Sequence, residues 1–473
     1  MRSLFAYSLI SLLSALIGFV SIPISTRLFG QELLGQLNLL LSLSVMLLTV
    51  SLAGMDQGYL RFYYEKSDMK RRVLLRYCIE TTLVIAAIIS VVLVIFRDAV
   101  GSYIGGDPLL VTFALIQLLA ALIVLRFSIC YCRVTESVIL FGFFTIINTV
   151  FNKCIYLFSV FDRSIHGSLV SITLIAVVTV IACTVFLVKK SGKNDANVTL
   201  DENEKKAVAR YAMPLVPAMA LSNVNLYIPL LSVRSMLGFG AAGLFSMSVT
   251  LASVINIIGS GVNSFWPSYV FKNYRAKQST IQLFHRILVF ALFVFACILI
   301  VLRPLVALFL GPGYEQSSVL FSILLLSPLC YTIGETAGIG IHLSKESHLF
   351  LVIYGAGIAI NIALSHYLVS FFGVMGAAIS VSVTAIVMLL LKAVFGNQRY
   401  DSTGSLRWLI SAIILISLQL TMIVNVDEYA LSVALSIACL ILYPALVGLS
   451  SFTSSIKETF SYLRAAIAGR RES

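Results

Sequence analysis

Eight ionisable side chains fall inside, or at the ends of, long apolar runs. They are Arg27, Arg61, Arg126, Lys153 and Arg234 among the cations, and Asp56, Glu80 and Glu335 among the acids. A charge at membrane depth is costly, so by default it marks a substrate or ion path. A lining of Arg and Lys suits an anion, and the guanidinium fork matches phosphate oxygens two at a time. The five cations are therefore candidates to hold an anionic, phosphate-bearing substrate. The three carboxylates are candidates to couple transport to a proton or sodium ion.

Each residue also has a plainer reading. Arg27 and Arg234 sit near span ends and can snorkel to an interface. Arg126 is one or two turns from a span end and can do the same. Asp56 lies five residues before Arg61, and the two can simply pair. Glu335, between Gly334 and Gly338, is either an ion site or a partner that steadies a kink. Lys153 is the hardest to place at an interface. Among uncharged polar residues, Asn152, Asn223, Asn263 and Asn361 face either a wet cavity or neighbouring helices, where amide hydrogen bonds act as glue.

The elements that must position these groups are helices. Hydrophobic residues make up 59% of the 473-residue chain and charged ones only 11%, with mean hydropathy +0.99. A soluble domain would carry roughly 25% charged residues. A spanning helix needs about 20 apolar residues, and the chain offers about 14 such runs, from near 4–26 to near 429–449. Pro and Gly inside several runs predict kinked helices, not a barrel. The first run, Leu4 to Ile24, has no small-x-small cleavage site and continues to Pro23 and Arg27, so it reads as the first span.

Charge sets the orientation. With the N-terminus in the cytoplasm, about 26 of the 33 Lys and Arg fall on the inner side. These include Lys66, Lys70, Arg71, Arg72, Lys189, Lys190, Lys272 and Lys392. Both termini are then expected to be cytoplasmic. The net charge of +12 is mostly topogenic, which argues against a nucleic-acid partner. The eight cysteines lie mostly in apolar spans and read as packing residues. Cys130-x-Cys132 lacks a second ligand pair, so no metal site is expected. No phosphate-binding loop, HExxH or Gly-x-Ser-x-Gly pattern occurs, so the reading is a non-enzyme with no cofactor.

The polar loop from about Lys189 to Arg210 divides the chain, and the two sides match at a shift of about 208. Gly30 and Gly35 match Gly238 and Gly243; Arg27 resembles Arg234; Asn152 pairs with Asn361 and Gly167 with Gly376 at 209. Six spans per repeat give both halves the same orientation, related by an axis along the membrane normal. Parallel repeats of this kind are a transporter architecture. The expected organisation is a bundle over 1–190, a linker over 191–210 and a second bundle over 211–397. Two accessory spans over 405–450 and a cytoplasmic tail over 451–473 complete it.

Several stretches resemble a known family. Pro23-Ile24-Ser25-Thr26-Arg27-Leu28-Phe29-Gly30 is similar to the end of helix 1 in the Wzx-type polysaccharide flippases. Their superfamily includes the multidrug and toxin extrusion transporters and the lipid II flippase. Gly54 through Glu65 resembles the helix 2–3 segment, Tyr211-Ala212-Met213-Pro214-Leu215-Val216-Pro217 the opening of helix 7, and Phe265 through Lys272 the end of helix 8. The stretches Ile339 to Asn361 and Phe372 to Ser380 resemble the helix 10–12 region. The resemblance covers about 5–395 and implies two six-helix bundles around a central cavity in the bacterial inner membrane. It implies an undecaprenyl-pyrophosphate-linked oligosaccharide as substrate, flipped to the periplasmic leaflet for O-antigen, capsule or exopolysaccharide. It also implies ion coupling, and polymerase and chain-length proteins as pathway partners. Arg27, Asp56 and Arg61 fall on matching motif positions. One departure is plain: many relatives carry an Asp-Arg pair midway along helix 7, where this chain has Tyr227-Ile228-Pro229-Leu230 and no charge nearer than Arg234. The rival readings are a cation-coupled multidrug exporter of the same fold and a membrane polysaccharide polymerase or ligase. The basic lean of the buried charges weighs against the first, and the short outer loops weigh against the second.

Overall fold

The computed structural model describes residues 2–159, 162–191, 199–212, 215–344, 346, 348–425 and 429–468. Residues 192–198 of the polar linker and Met213-Pro214 of the helix 7 motif lie outside them, as does the side chain of Asn223. The described chain is helical throughout, and it forms a polytopic membrane protein. Among the described residues, nine helices are long and apolar enough to cross a membrane, and three shorter apolar helices accompany them. The chain packs as two compact units. One comprises Met1–Thr250 with Gly311–Gly313, and the other Leu251–Leu310 with Tyr314–Ser473.

Unit 1 contains α1 (Arg2–Leu28), α2 (Gln31–Leu52), α3 (Met55–Phe62), α4 (Asp68–Ile95), α5 (Arg97–Ile104), α6 (Pro108–Val134), α7 (Val138–Lys153), α8 (Ile165–Ser191), α9 (Glu202–Ala212), α10 (Leu215–Leu237) and α11 (Phe239–Ala252). Helix α6 is its centre: Leu115, Leu118, Ile123, Leu125 and Phe127 are fully buried there. By contrast α4 and α8 turn apolar side chains outward, with Val84, Ile88 and Val91 on α4 and Leu174, Val178 and Ile181 on α8 each about 60% exposed. Apolar surface of this kind faces lipid, because a bilayer offers no penalty for it. Helix α9 differs. It is short and charged, and Glu204 receives Lys66 Nζ at 2.7 Å and Lys70 Nζ at 3.0 Å. Those two ammonium groups, with the Asp201 N–H, hold the Glu204 carboxyl at about 2, well below its usual range.

Unit 2 contains α12 (Asn256–Asn273), α13 (Gln278–Val301), α14 (Arg303–Phe309), α15 (Ser317–Leu324), α16 (Leu326–Ala337), α17 (Ile339–Ser344), α18 (His348–Arg399), α19 (Arg407–Asn425), α20 (Tyr429–Val447) and α21 (Leu449–Ala468). The 52 residues of α18 would extend about 78 Å if straight, more than two bilayer cores. The helix breaks at Gly373 (φ 58°, ψ −138°), which splits it into two crossings. These correspond to two of the fourteen apolar runs, near 349–371 and near 374–395. Helices α13, α19, α20 and α21 share an aromatic core: Tyr443 lies between Phe293 and Trp408 and donates its hydroxyl to the Trp408 carbonyl at 3.1 Å. The expected tail over 451–473 is helical as far as Ala468, and Phe452 anchors it by stacking on Trp408.

The repeat shows in unit 1 as reciprocal contacts at a shift of 208. Gly35 of α2 and Gly243 of α11 touch backbone to backbone: a Cβ on Gly35 would lie 2.9 Å from Gly243 N, and one on Gly243 would lie 3.0 Å from Gly35 N. The same Cβ atoms would run into the carbonyls of Phe239 and Gln31, which are themselves a matched pair. Arg234 donates to the carbonyl of Tyr103 at 3.1 Å, and at the mated positions Thr26 Oγ1 accepts the Gly311 N–H at 3.0 Å. Gly105 and Gly313 both have left-handed φ (85° and 86°). Gly105 backs onto the Phe239 ring, and the Gly313 carbonyl accepts from Gln31. Two-way contacts between equivalent residues are the mark of a twofold interface. The mate of Arg234 is accordingly Thr26, one residue away from the Arg27 that sequence pairs with it.

Candidate functional site

Two successive left-handed residues, Ala53 (φ 43°) and Gly54 (φ 72°), end α2 and turn the chain into α3. The turn drops Asp56 into the core of unit 1, where it is fully buried. One of its oxygens, Oδ2, takes three donors: Arg126 Nη2 at 2.6 Å, Arg126 Nε at 2.9 Å and Gln57 Nε2 at 3.0 Å. The other, Oδ1, is buried and has no partner among the described residues. Asp56 thus pairs with Arg126 on α6. The expected Asp56–Arg61 pair does not form, because Arg61 points away to Glu65 at 2.6 Å on the exposed face of the α3 region. The arrangement is lopsided. The carboxylate is sealed, while the Arg126 side chain keeps 38% of its surface open. A guanidinium braced from behind and open in front can bind an anion without first being ordered.

Lys153 is the last residue of α7, about 24 Å from its start along the axis. Buried Cys154, Ile155 and Tyr156 follow it, so a buried turn lies directly beyond it. Its stem lies against Gly18 of α1, 3.8 Å from where a Cβ would be. Among the described residues its ammonium makes no ion pair or hydrogen bond. Arg27, exposed in the last turn of α1, lies nine residues beyond Gly18, about 13 Å along that helix.

Arg234 has a structural task. Beside its bond to Tyr103 it reaches the Ser102 carbonyl at 3.3 Å and stacks on Phe239 at 3.7 Å, tying α10 to the end of α5. Glu80 is half exposed on α4 and pairs with Arg76 one turn away. Neither joins the Asp56–Arg126 pair. Asn152 donates to the Asn148 carbonyl of its own helix at 2.7 Å.

In unit 2, Glu335 on α16 accepts from Lys392 Nζ at 3.3 Å. Charge counting assigns Lys392 to a basic loop, and the structure corrects that: the residue is 3% exposed inside α18. It fits because Gly334 and Gly338 leave room for its stem, with Cδ 3.1 Å from where a Gly334 Cβ would lie. Phe350 and Tyr354 flank the ammonium at 5.9 and 5.6 Å. Asn361 is 1% exposed; its Oδ1 accepts from Ser365 at 3.1 Å and from Ser380 at 2.9 Å, clasping the two halves of α18. That bonding corrects its expected place in a polar cavity. Asn263 on α12 is exposed, and the Asn223 side chain lies outside the described residues. His285 and Lys392 are buried polar groups that sequence reading passes over. For Lys392 the signal was present, since it falls within the apolar run 374–395.

No family model matches the sequence, and no curated protein is similar to it at sequence level. Solved structures do share its fold. A lipid II flippase, MurJ, in an inward closed conformation superposes with TM-score 0.68 at 14% identity, over 93% of this chain and 98% of that one. An inward-facing multidrug resistance transporter of the MATE family in the MOP superfamily gives 0.60 at 12%, covering 84% and 99%. The MATE multidrug transporter DinF-BH, solved as a complex, gives 0.57 at 15%, covering 85% and 97%. The chain shares its fold with these flippase and multidrug transporter structures. Structures with this fold include both a lipid flippase and drug transporters.

Proposed function

We propose that this protein is a flippase for an undecaprenyl-pyrophosphate-linked oligosaccharide, moving it from the cytoplasmic to the periplasmic leaflet of a bacterial inner membrane. The reading rests on one observation above others: Lys153, at the end of the apolar helix α7 and followed by buried chain, has no carboxylate or other polar partner among the described residues. An ammonium in that position is stabilised when an anion arrives, and a drug cation would meet repulsion instead. Arg126, open on one side, and Arg27 support the same chemistry. Their role is to hold the pyrophosphate, and Arg61 at the exposed end of α3 is an entry contact.

The polar residues near these cations meet the sugars, and the prenyl tail stays in lipid. Exchange of access between the leaflets follows from rocking of the two repeats, taken as 1–190 and 211–397 with both termini cytoplasmic. Asp56 and Glu335 are the coupling carboxylates of this scheme. Protonating Asp56 would loosen Arg126, and a proton or sodium ion at Glu335 would compete with Lys392. Polymerase and chain-length proteins would take the flipped product.

The test is deletion of the gene, with lipid-linked intermediates quantified by leaflet. Inward-facing undecaprenyl-pyrophosphate oligosaccharide should accumulate, and surface polymer should be lost. The wild-type gene should restore both, and Lys153→Met with Arg27→Gln should fail to do so while reaching the membrane in normal amount. Unchanged intermediates and polymer, together with lost dye efflux, would transfer the assignment to a multidrug exporter.

A further inference from the structure

Four helices and a turn of unit 1 converge on a cleft of about 200 Å³ that none of the transport reading uses. Arg71 and Arg72 reach it from the first turns of α4, Lys190 from the last turn of α8, Tyr59 from α3, Tyr63 from the turn after α3, and Tyr131 from α6. Three cations line it, and among the described residues no carboxylate does. The nearby acids are already matched: Glu65 by Arg61, and Glu204 by Lys66 and Lys70. The wall is also built in place. Arg71 Nε donates to the Tyr63 carbonyl at 3.0 Å, and its guanidinium lies 4.6 Å over the Tyr63 ring. Arg72 and Lys190 are exposed at the mouth.

We propose that this cleft binds the phosphate of an anionic lipid headgroup. Three cations with tyrosine side chains beside them form a phosphate-binding wall. The helices that deliver the cations supply the rest of the lipid site. Beyond Arg72, α4 turns Leu83, Val84 and Ile88 outward; before Lys190, α8 turns Val178, Ile181, Val185 and Val188 outward. A headgroup in the cleft therefore leaves its acyl chains against apolar helix faces at the depth where chains belong. The site is separate from Lys153 and Arg126, and it stands whether or not the flippase reading does.

The test uses the purified full-length protein and native mass spectrometry, titrating phosphatidylglycerol, phosphatidylcholine and inorganic phosphate. Wild type should retain phosphatidylglycerol in preference to phosphatidylcholine. Each cation near an anionic lipid contributes about fivefold, so Arg72→Gln with Lys190→Gln should weaken retention about 25-fold. Both side chains are exposed, so the variant should fold; Arg72→Lys with Lys190→Arg keeps the charge and should retain the lipid. Lys457→Gln, on α21, should change nothing. Equal retention of the two lipids, or wild-type retention by the double Gln variant, would overturn the proposal. Millimolar inorganic phosphate that binds the cleft as well as the lipid does would also overturn it, because the site would then be one for free phosphate.

Discussion

Gly35 and Gly243, 208 residues apart in the chain, press their backbones together so closely that a side chain on either would enter the other helix. Because Gln31 and Phe239 are related by the same shift, each glycine meets the mate of the other's contact. A single close approach between helices needs only small residues. A reciprocal one at a constant shift needs an internal twofold, and the Thr26–Gly311 and Arg234–Tyr103 bonds repeat the relation farther out.

Substitution at either glycine should therefore have the same outcome. Gly35→Leu and Gly243→Leu each force α2 and α11 apart, at a cost of about 1–3 kcal/mol or more. Both should lower the melting temperature of the detergent-solubilised protein to a similar extent. The double variant should cost less than the sum, because the helices separate only once. A large effect at one position and none at the other would contradict the reciprocity.

The Asp56–Arg126 pair should behave as a buried charge with a detachable partner. Arg126→Ala leaves the fully buried Asp56 carboxylate without its strongest donors, and stranding a buried charge costs about 3 kcal/mol. Asp56→Asn added to Arg126→Ala removes that charge and should recover much of the loss. The double-mutant cycle on thermal stability checks it, and simple additivity would show that the pair is solvated after all.

Lys153 should show the opposite sign. With no ion pair to lose among the described residues, Lys153→Met removes a costly charge, so stability should stay level or rise. Transport should fall at the same time. Measured together on one preparation, a rise in melting temperature and a loss of lipid translocation separate a binding role from a packing role.

Glu204 gives a pH signature outside the spans. Its carboxyl is depressed to about 2 by Lys66, Lys70 and the Asp201 N–H. A depressed carboxylate contributes stability that is complete above its unfolded value of 4.5 and is lost as pH falls toward 2. Protection of α9 from hydrogen exchange should decline over that window, and Glu204→Gln should abolish the dependence. Decline in a different pH range would mean another group is responsible.

The spans were legible because lipid demands apolar runs about 20 residues long, and the repeat was legible because close backbone approach admits only glycine, which leaves a fixed mark at 35 and 243. The partners of the charges were not legible. Asp56 and Arg126 are 70 residues apart, and no local spacing links them. Thr26 and Arg234 do equivalent work with unlike chemistry, one accepting an N–H and the other donating to a carbonyl, so matching by residue type selects Arg27 instead. Lys392 looked topogenic because charge counting assigns a base at a span end to the nearest loop. Its place inside the apolar run 374–395 points the other way, and the space beside Gly334 and Gly338 accommodates its stem.

The break in α18 stores backbone strain. At φ 58° and ψ −138°, Gly373 occupies backbone space that a Cβ makes costly, by about 1–3 kcal/mol. Gly373→Ala should therefore destabilise the protein although no packed side chain is lost. The two halves of α18 are also clasped through Asn361, which accepts from Ser380 across the break. With the clasp intact the strain is held, so the variant should fold and melt earlier. Asn361→Ala alone removes the shared amide acceptor and leaves the Ser365 and Ser380 hydroxyls to pair with each other, and should cost about 1 kcal/mol. The two substitutions act on one hinge, so their combined effect on melting temperature should depart from additivity. Strict additivity would mean that the bend is set by the rest of the bundle, with Gly373 merely tolerating it.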